Sequence, residues 1–312
     1  MQDSPIVVGI VGDSASGKTT IANGLARILG EHRVARVNCD DYHRFTRAQR
    51  LKQGVSQVHT DGYYLDIIDQ HLSLIKRGEP VLKPVVDPAT EHFQAPEYVA
   101  PKPVVLVEGA LGYASKAMRA QYDMRIFLEP AEEVRIKWKI RHDTRRFDRS
   151  EAAVVKELAQ LKSDEEAFVR PQRKWADMMV RFAPSEKHRD DSGSLLGASI
   201  LLRPTLPDAG VYELLQRVRP PTAIRMELDR DMGLPVDRLV IEGGTSMEQC
   251  APMVQAMWAE ANPGERQPLP AGIADIPSDH GAASQSNALV LTMLIVALHI
   301  GKLESGRAAP TA

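Results

Sequence analysis

The chain has 312 residues, enough for one large domain or two smaller ones with cores of their own. Its 43% hydrophobic and 26% charged residues are those of an ordinary globular protein, and a net charge of −2 gives no electrostatic footprint for nucleic acid or an anionic membrane. Two cysteines, Cys39 and Cys250, exclude a disulfide framework.

The first predicted element is the apolar, β-branched run Ile6-Val7-Val8-Gly9-Ile10-Val11, followed by Gly12-Asp13-Ser14-Ala15-Ser16-Gly17-Lys18-Thr19-Thr20 and a helix-forming stretch from Ile21 to Leu29. The loop fits G-x-x-x-x-G-K-[ST] between a strand and a helix, the context that makes this pattern a phosphate-binding loop. Backbone N–H groups and the helix N-terminus suit the phosphates of ATP, Lys18 reaches the β- and γ-phosphates, and Thr19 is placed to ligate Mg²⁺. The N-terminus enters this strand without a basic and apolar leader, which with the nucleotide chemistry predicts a cytoplasmic protein.

A second strand, Val34 to Cys39, ends on Asp40-Asp41-Tyr42-His43-Arg44-Phe45-Thr46-Arg47. Ligands of open α/β sheets collect at the carboxyl ends of strands, so Asp40 is the candidate general base for a substrate hydroxyl. Tyr42, His43 and Arg47 are candidate acceptor contacts; a solvated strand-end loop with a capping aspartate is the plainer reading. A helix over 66–75 comes next, then a loop or hairpin over 83–93. The strand Val104-Val105-Leu106-Val107 ends in Glu108, an acid placed to hold Mg²⁺ directly or through water.

A fourth strand, Met124 to Leu128, leads into the basic run 134–149 and a further helix capped by Ser150. The basic run fits either a mobile lid that neutralises a transferring phosphoryl group or a solvated helix face with pairs such as Lys139 and Asp143. A strand over 176–182 closes this part. Strands and helices thus alternate over residues 1–185, predicting an α/β core of P-loop NTPase type, its mostly parallel sheet flanked by helices. Residues 186–312 are expected to form a C-terminal α+β extension: a polar loop over 186–194, strands over 199–203 and 237–242, a helix over 245–261, and a Pro/Gly-rich loop over 264–286. The apolar run from Ala288 to Ile300 is too short to span a bilayer and predicts a buried helix, with 301–312 frayed.

The order GDSASGKTT, CDDYHRFTR, LVEG, WKIRHD and VRPQRKWADMMV closely resembles the phosphoribulokinase and uridine kinase family, and most of all its phosphoribulokinase branch. The resemblance implies transfer of the ATP γ-phosphate to a hydroxyl of ribulose 5-phosphate. It makes Asp40 the catalytic base, places His43 and Arg47 on the sugar phosphate, and matches Glu108 to the metal-linked acid and Lys139 and Asp143 to the lid. A homodimer is also implied, with residues 186–312 for packing and subunit contact.

Where the family's lid reads Lys-x-x-Arg-Asp-x-x-x-Arg-Gly, this chain has His142 and Phe147-Asp148. Two expected arginines are therefore missing, and Arg141, Arg145, Arg146 and Arg149 are the candidate substitutes. His142 and Arg146 join the candidate acceptor contacts. Val85-Val86-Asp87-Pro88 also depart from the family pattern, so the acceptor is less constrained than the reaction. Uridine or another nucleoside, another sugar phosphate or another polyol remains the alternative acceptor, and a nucleotide-binding protein without turnover is the alternative of another class. The loop residues Ser14-Ala15-Ser16 lack the cysteine of light-regulated relatives, so no thiol switch of that kind is expected.

Overall fold

The structure is a computed structural model that describes residues 4–308, apart from 89, 190–192, 220–222, 264–267 and 278–282. Strand β1 (Ile6–Gly12) is buried along its whole length, as a two-sided apolar run in mid-sheet should be. Helix α1 (Lys18–Leu29) begins at the loop lysine. Strand β2 (Val34–Asn38) stops one residue earlier than expected, because the Asn38 side chain accepts from the Asp40 N–H and caps a single 3-10 turn over Cys39–Tyr42. The unanticipated helix α2 (Arg47–Gln53) starts on a reciprocal capping box between Thr46 and Gln49. Helix α3 (Leu65–Lys76) follows, and the stretch expected as a loop or hairpin is a hairpin of β3 (Val81–Val86) and β4 (Phe93–Val99).

Next come β5 (Val104–Gly109), α4 (Lys116–Arg119), β6 (Met124–Leu128), α5 (Glu132–Phe147) and α6 (Glu151–Asp164), the last capped by Ser150 as expected. A π turn over Glu165–Val169 and a 3-10 turn over Arg170–Trp175 lead to β7 (Met178–Ala183). The remaining elements are β8 (Gly197–Leu202), α7 (Val211–Val218), β9 (Ile224–Asp231), β10 (Leu234–Ile241), α8 (Met247–Ala261), β11 (Asp275–Pro277), β12 (Ala283–Gln285) and α9 (Asn287–Ala308). The expected loops over 186–194 and 264–286 fall partly outside the described residues.

Two compact units interleave along the chain. The first comprises Met1–Lys18, His32–Leu128 and Arg135–Ala176. Its strands run parallel in the order β2-β5-β1-β6, the α/β core that the alternation of elements predicted. Asn38, Glu108 and Ile10 lie in one register row, so the residues that follow β2, β5 and β1 gather at one edge of the sheet. That edge carries the phosphate loop, Asp40 and Glu108.

The second unit comprises Thr19–Glu31, Glu129–Val134 and Asp177–Ala312. Its strands are antiparallel in the order β7-β8-β10-β9. Met232 and Gly233, with φ of 51° and 82°, make the two-residue turn between β9 and β10. Helix α9 packs against α8 and β8. The buried helix expected over 288–300 is present and runs on to Ala308, which corrects the expected fraying over 301–308 and the reading of the helix as too short to span a bilayer; 309–312 lie outside the described residues. Its length and composition would suffice to cross a membrane, yet 72% of its apolar window is buried inside the protein.

Gly24 marks where α1 meets α9. A Cβ there would overlap the Sδ of the fully buried Met293 and lie 3.1 Å from the Ile273 carbonyl oxygen. Gly24→Ala should therefore lower stability by about 1–3 kcal/mol through overpacking, against a helix-propensity gain of about 1 kcal/mol. Chemical denaturation of the variant checks this, and a gain in stability would show that the contact is looser than described.

Candidate active site

The phosphate loop is anchored from below by a buried ion pair. Arg135 on α5 donates to both Glu165 oxygens at 3.0 and 3.1 Å and to the Ser14 carbonyl at 3.1 Å. Arg170 donates from Nε to the Asp13 carboxylate at 3.0 Å. Burial, with the Asp13 carboxylate nearby, pushes the Glu165 pKa above its ordinary range even though Arg135 opposes the shift. The π turn that begins at Glu165 brings this carboxylate under the loop. Lys18 folds over the loop, its Nζ donating to the carbonyls of Gly12 at 3.0 Å and Asp13 at 2.9 Å. Ser16 Oγ is buried with no hydrogen-bond partner, so the loop holds an unsatisfied hydroxyl donor of the kind a phosphate oxygen can accept from. Gly12 and Gly17 bound this loop, with Thr19 and Thr20 opening the first turn of α1.

Asp40 follows β2 at the carboxyl edge of the same sheet. Its Oδ1 lies 3.2 Å from the Tyr63 hydroxyl and 3.4 Å from the Ala110 N–H. The single Tyr63 proton is shared with the Gln57 carbonyl at 2.8 Å. The loop after β5 is itself clamped by buried Gln172, which donates to the Ala110 carbonyl and accepts from the Tyr113 N–H. Glu108 is 8% exposed at the end of β5. Asp41, the neighbour of Asp40 in sequence, points elsewhere: it pairs with buried Lys83 and accepts from the Val86 N–H at 3.0 Å, tying the β3–β4 hairpin to the turn.

The predicted acceptor contacts and lid residues separate into two groups. Arg47 and Lys139, with Arg149, line a cleft of about 190 Å³ together with Glu91, Asp143 and Glu157. Lys139 and Arg149 bind Asp143 Oδ2 at 3.0 and 2.9 Å. Burial alone would raise the Asp143 pKa, but the hydrogen bond from His142 and the Lys139 ammonium outweigh it and hold the carboxyl below its ordinary range. The other group stands outside this lining. Tyr42 is fully buried, its hydroxyl 2.9 Å from His71 Nδ1, so it is a core residue. His43 packs its ring 4.2 Å from that of Tyr63, and burial lowers its pKa despite the neighbouring Asp40, so it offers a hydrogen bond rather than a charge. His142 is half exposed on Asp143, and it and Arg146 flank the Phe147 ring. Among the four candidate lid substitutes, Arg149 is the one that lines the cleft.

Both cysteines are buried. Burial, with Asp40 next to it, drives the Cys39 thiol far up, and burial pushes Cys250 up to about 11. Neither is a reactive thiolate near neutral pH. Turnover should be unchanged after reduction with dithiothreitol and after reoxidation, and a large redox effect would contradict that expectation.

Among the described residues no three His, Cys, Asp or Glu side chains converge on a metal position. Glu108 at the end of β5 offers a single hard carboxylate, a donor of the kind Mg²⁺ takes, since that ion keeps waters and leans on substrate phosphates.

A model of the phosphoribulokinase / uridine kinase family matches residues 7–188. The chain is 28% identical over 194 residues to a phosphoribulokinase of Synechocystis sp., covering 62% of this chain and 58% of that protein. It is 30% identical over 184 residues to a uridine kinase of Chloroflexus aggregans, covering 57% and 88%. The match thus spans 58% of the length of the first of these relatives. In three dimensions it is similar to a phosphoribulokinase from Rhodobacter spheroides, with a TM-score of 0.57 at 14% identity over 82% of this chain and 96% of that one, a likeness of fold.

Proposed function

The chain belongs to the phosphoribulokinase and uridine kinase family, and from that premise we propose that it is a kinase transferring the γ-phosphate of ATP to a hydroxyl of an anionic sugar phosphate, ribulose 5-phosphate, to give ribulose 1,5-bisphosphate. The observation that carries the reading is the placement of Asp40 and the phosphate loop at one carboxyl edge of the parallel sheet, with the three-cation cleft joined to Asp40 through Gln57 and Tyr63.

On this reading the loop N–H groups and Lys18 hold the β- and γ-phosphates, and Asp40 takes the proton from the attacking hydroxyl. Asp143, buried and ionised, keeps Lys139 extended into the cleft, and Arg47 and Arg149 orient the acceptor. Thr19 and Glu108 would hold Mg²⁺, which when bound neutralises charge on the phosphates. The same reading makes the protein a cytoplasmic homodimer that uses residues 186–312 for subunit contact.

A second reading, phosphorylation of uridine or another uncharged polyol, is favoured by one feature: every cation in the cleft already faces a carboxylate. Phosphorus NMR of the products separates the two. Ribulose 5-phosphate with Mg²⁺-ATP should yield a second phosphomonoester signal, and a new signal with uridine alone would select the other reading.

A further inference from the structure

Glu157 touches all three cations of the cleft. Its Oε2 accepts from Arg149 Nη2 at 2.6 Å and from Arg47 Nη2 at 3.3 Å, and its Oε1 lies 3.9 Å from Lys139 Nζ. Those cations come from three stretches: Arg47 opens α2, Lys139 lies in α5, and Arg149 lies between α5 and α6. None stands three or four residues from Glu157, so local helix pairing does not explain the convergence. One anion gathering three cations from separate elements is the arrangement a phosphate group would occupy.

The cations also have other partners. Asp143, 1% exposed, holds Lys139 and Arg149 from the buried side, and Arg47 lies 3.7 Å from Glu91. Each cation therefore keeps a counter-charge when Glu157 is removed. Glu157 itself is 21% exposed on the open cleft. It is the one carboxylate of the three that contacts Arg47, Lys139 and Arg149 together.

We propose that Glu157 is an exchangeable counter-ion standing where the acceptor's phosphate binds, so that anionic acceptors enter by displacing it and this exchange sets selectivity against uncharged ones. The proposal rests on the sugar-phosphate reading and adds a specificity-determining residue to it. It also answers the neutrality of the cleft: the positive charge is present but masked.

The test is calorimetric titration of inorganic phosphate into the protein with Mg²⁺-ADP on the phosphate loop, followed by initial rates. Glu157→Gln should bind phosphate about fivefold more tightly, the upper end of what one released, partly exposed ion pair supplies. Glu157→Asp, which keeps the charge, should stay near the parent value. The gain should vanish in Glu157→Gln/Arg149→Met, which assigns it to this cleft. In the rate assay Glu157→Gln should lower KM for ribulose 5-phosphate and leave that for ATP unchanged. Unchanged or weaker phosphate binding by Glu157→Gln overturns the proposal, as does a gain that survives loss of Arg149. A large loss of thermal stability in Glu157→Gln also overturns it, because the carboxylate would then be a structural bridge. Tighter phosphate binding in a protein that leaves ribulose 5-phosphate untouched would support the counter-ion and remove the acceptor reading.

Discussion

Asp40→Asn should lower kcat by about 10²- to 10⁴-fold, the usual contribution of a positioned general base, while ATP binds as before. The expectation follows from what the substitution keeps. Asparagine has the same shape, and its amide oxygen can still accept from the Tyr63 hydroxyl and the Ala110 N–H, which lie 3.2 and 3.4 Å from Asp40 Oδ1. The cap from Asn38 reaches the backbone of residue 40 and is untouched. Only the capacity to take a proton is lost. Single-turnover rates together with a nucleotide-binding titration separate the two effects. An unaltered rate would remove Asp40 from the chemistry and favour a nucleotide-binding protein that does not turn over.

Arg135→Ala should destabilise the fold by about 3–5 kcal/mol, the cost of leaving one member of a buried pair uncompensated. Glu165 is fully buried and Arg135 is 2% exposed, so water cannot replace the lost bonds. The deficit should depend on pH with a definite sign. The folded pKa of Glu165 already lies above its ordinary 4.5, so in the window above 4.5 the folded chain binds more protons than the unfolded one. Stability therefore falls as pH rises through that window. Without Arg135 the pKa moves higher still and the slope steepens. Denaturant unfolding at a mildly acidic and a mildly alkaline pH should show the larger deficit at the alkaline end. The double variant Arg135→Leu/Glu165→Leu should recover much of the loss, and failure to recover any would mean that the contact with the Ser14 carbonyl carries the effect.

The parts of this account that are local in sequence were readable from it. A glycine-bounded loop between a β-branched strand and a helix declares itself over some twenty residues, and so does an acid at the end of an apolar strand. Asp40 and Glu108 were placed at the sheet edge by the same logic, and the register row through Asn38, Glu108 and Ile10 is where strand-end reasoning puts them.

What escaped is what depends on distant partners. In a run as basic as 134–149, Arg135 looks like one charge among many, and only the fold brings Glu165 beneath it. Glu91 and Glu157 had no signal of their own, because their meaning is the position of Arg47, Lys139 and Arg149 around them. Tyr42 illustrates the opposite error: its place in a polar cluster suggested the site, while the 3-10 turn over Cys39–Tyr42 rotates its ring into the core toward His71. Two missed elements did carry signals. The Thr46–Gln49 capping box announces α2, and Met232-Gly233 between β-rich runs announces the β9–β10 hairpin.

The most direct measurement is ADP release by the purified protein with Mg²⁺-ATP against ribulose 5-phosphate, ribose 5-phosphate, uridine and unphosphorylated pentoses. Strong turnover with ribulose 5-phosphate alone is the predicted result. Turnover confined to uridine or an unphosphorylated pentose would contradict the sugar-phosphate reading, and ATP binding without turnover on any acceptor would contradict the kinase itself.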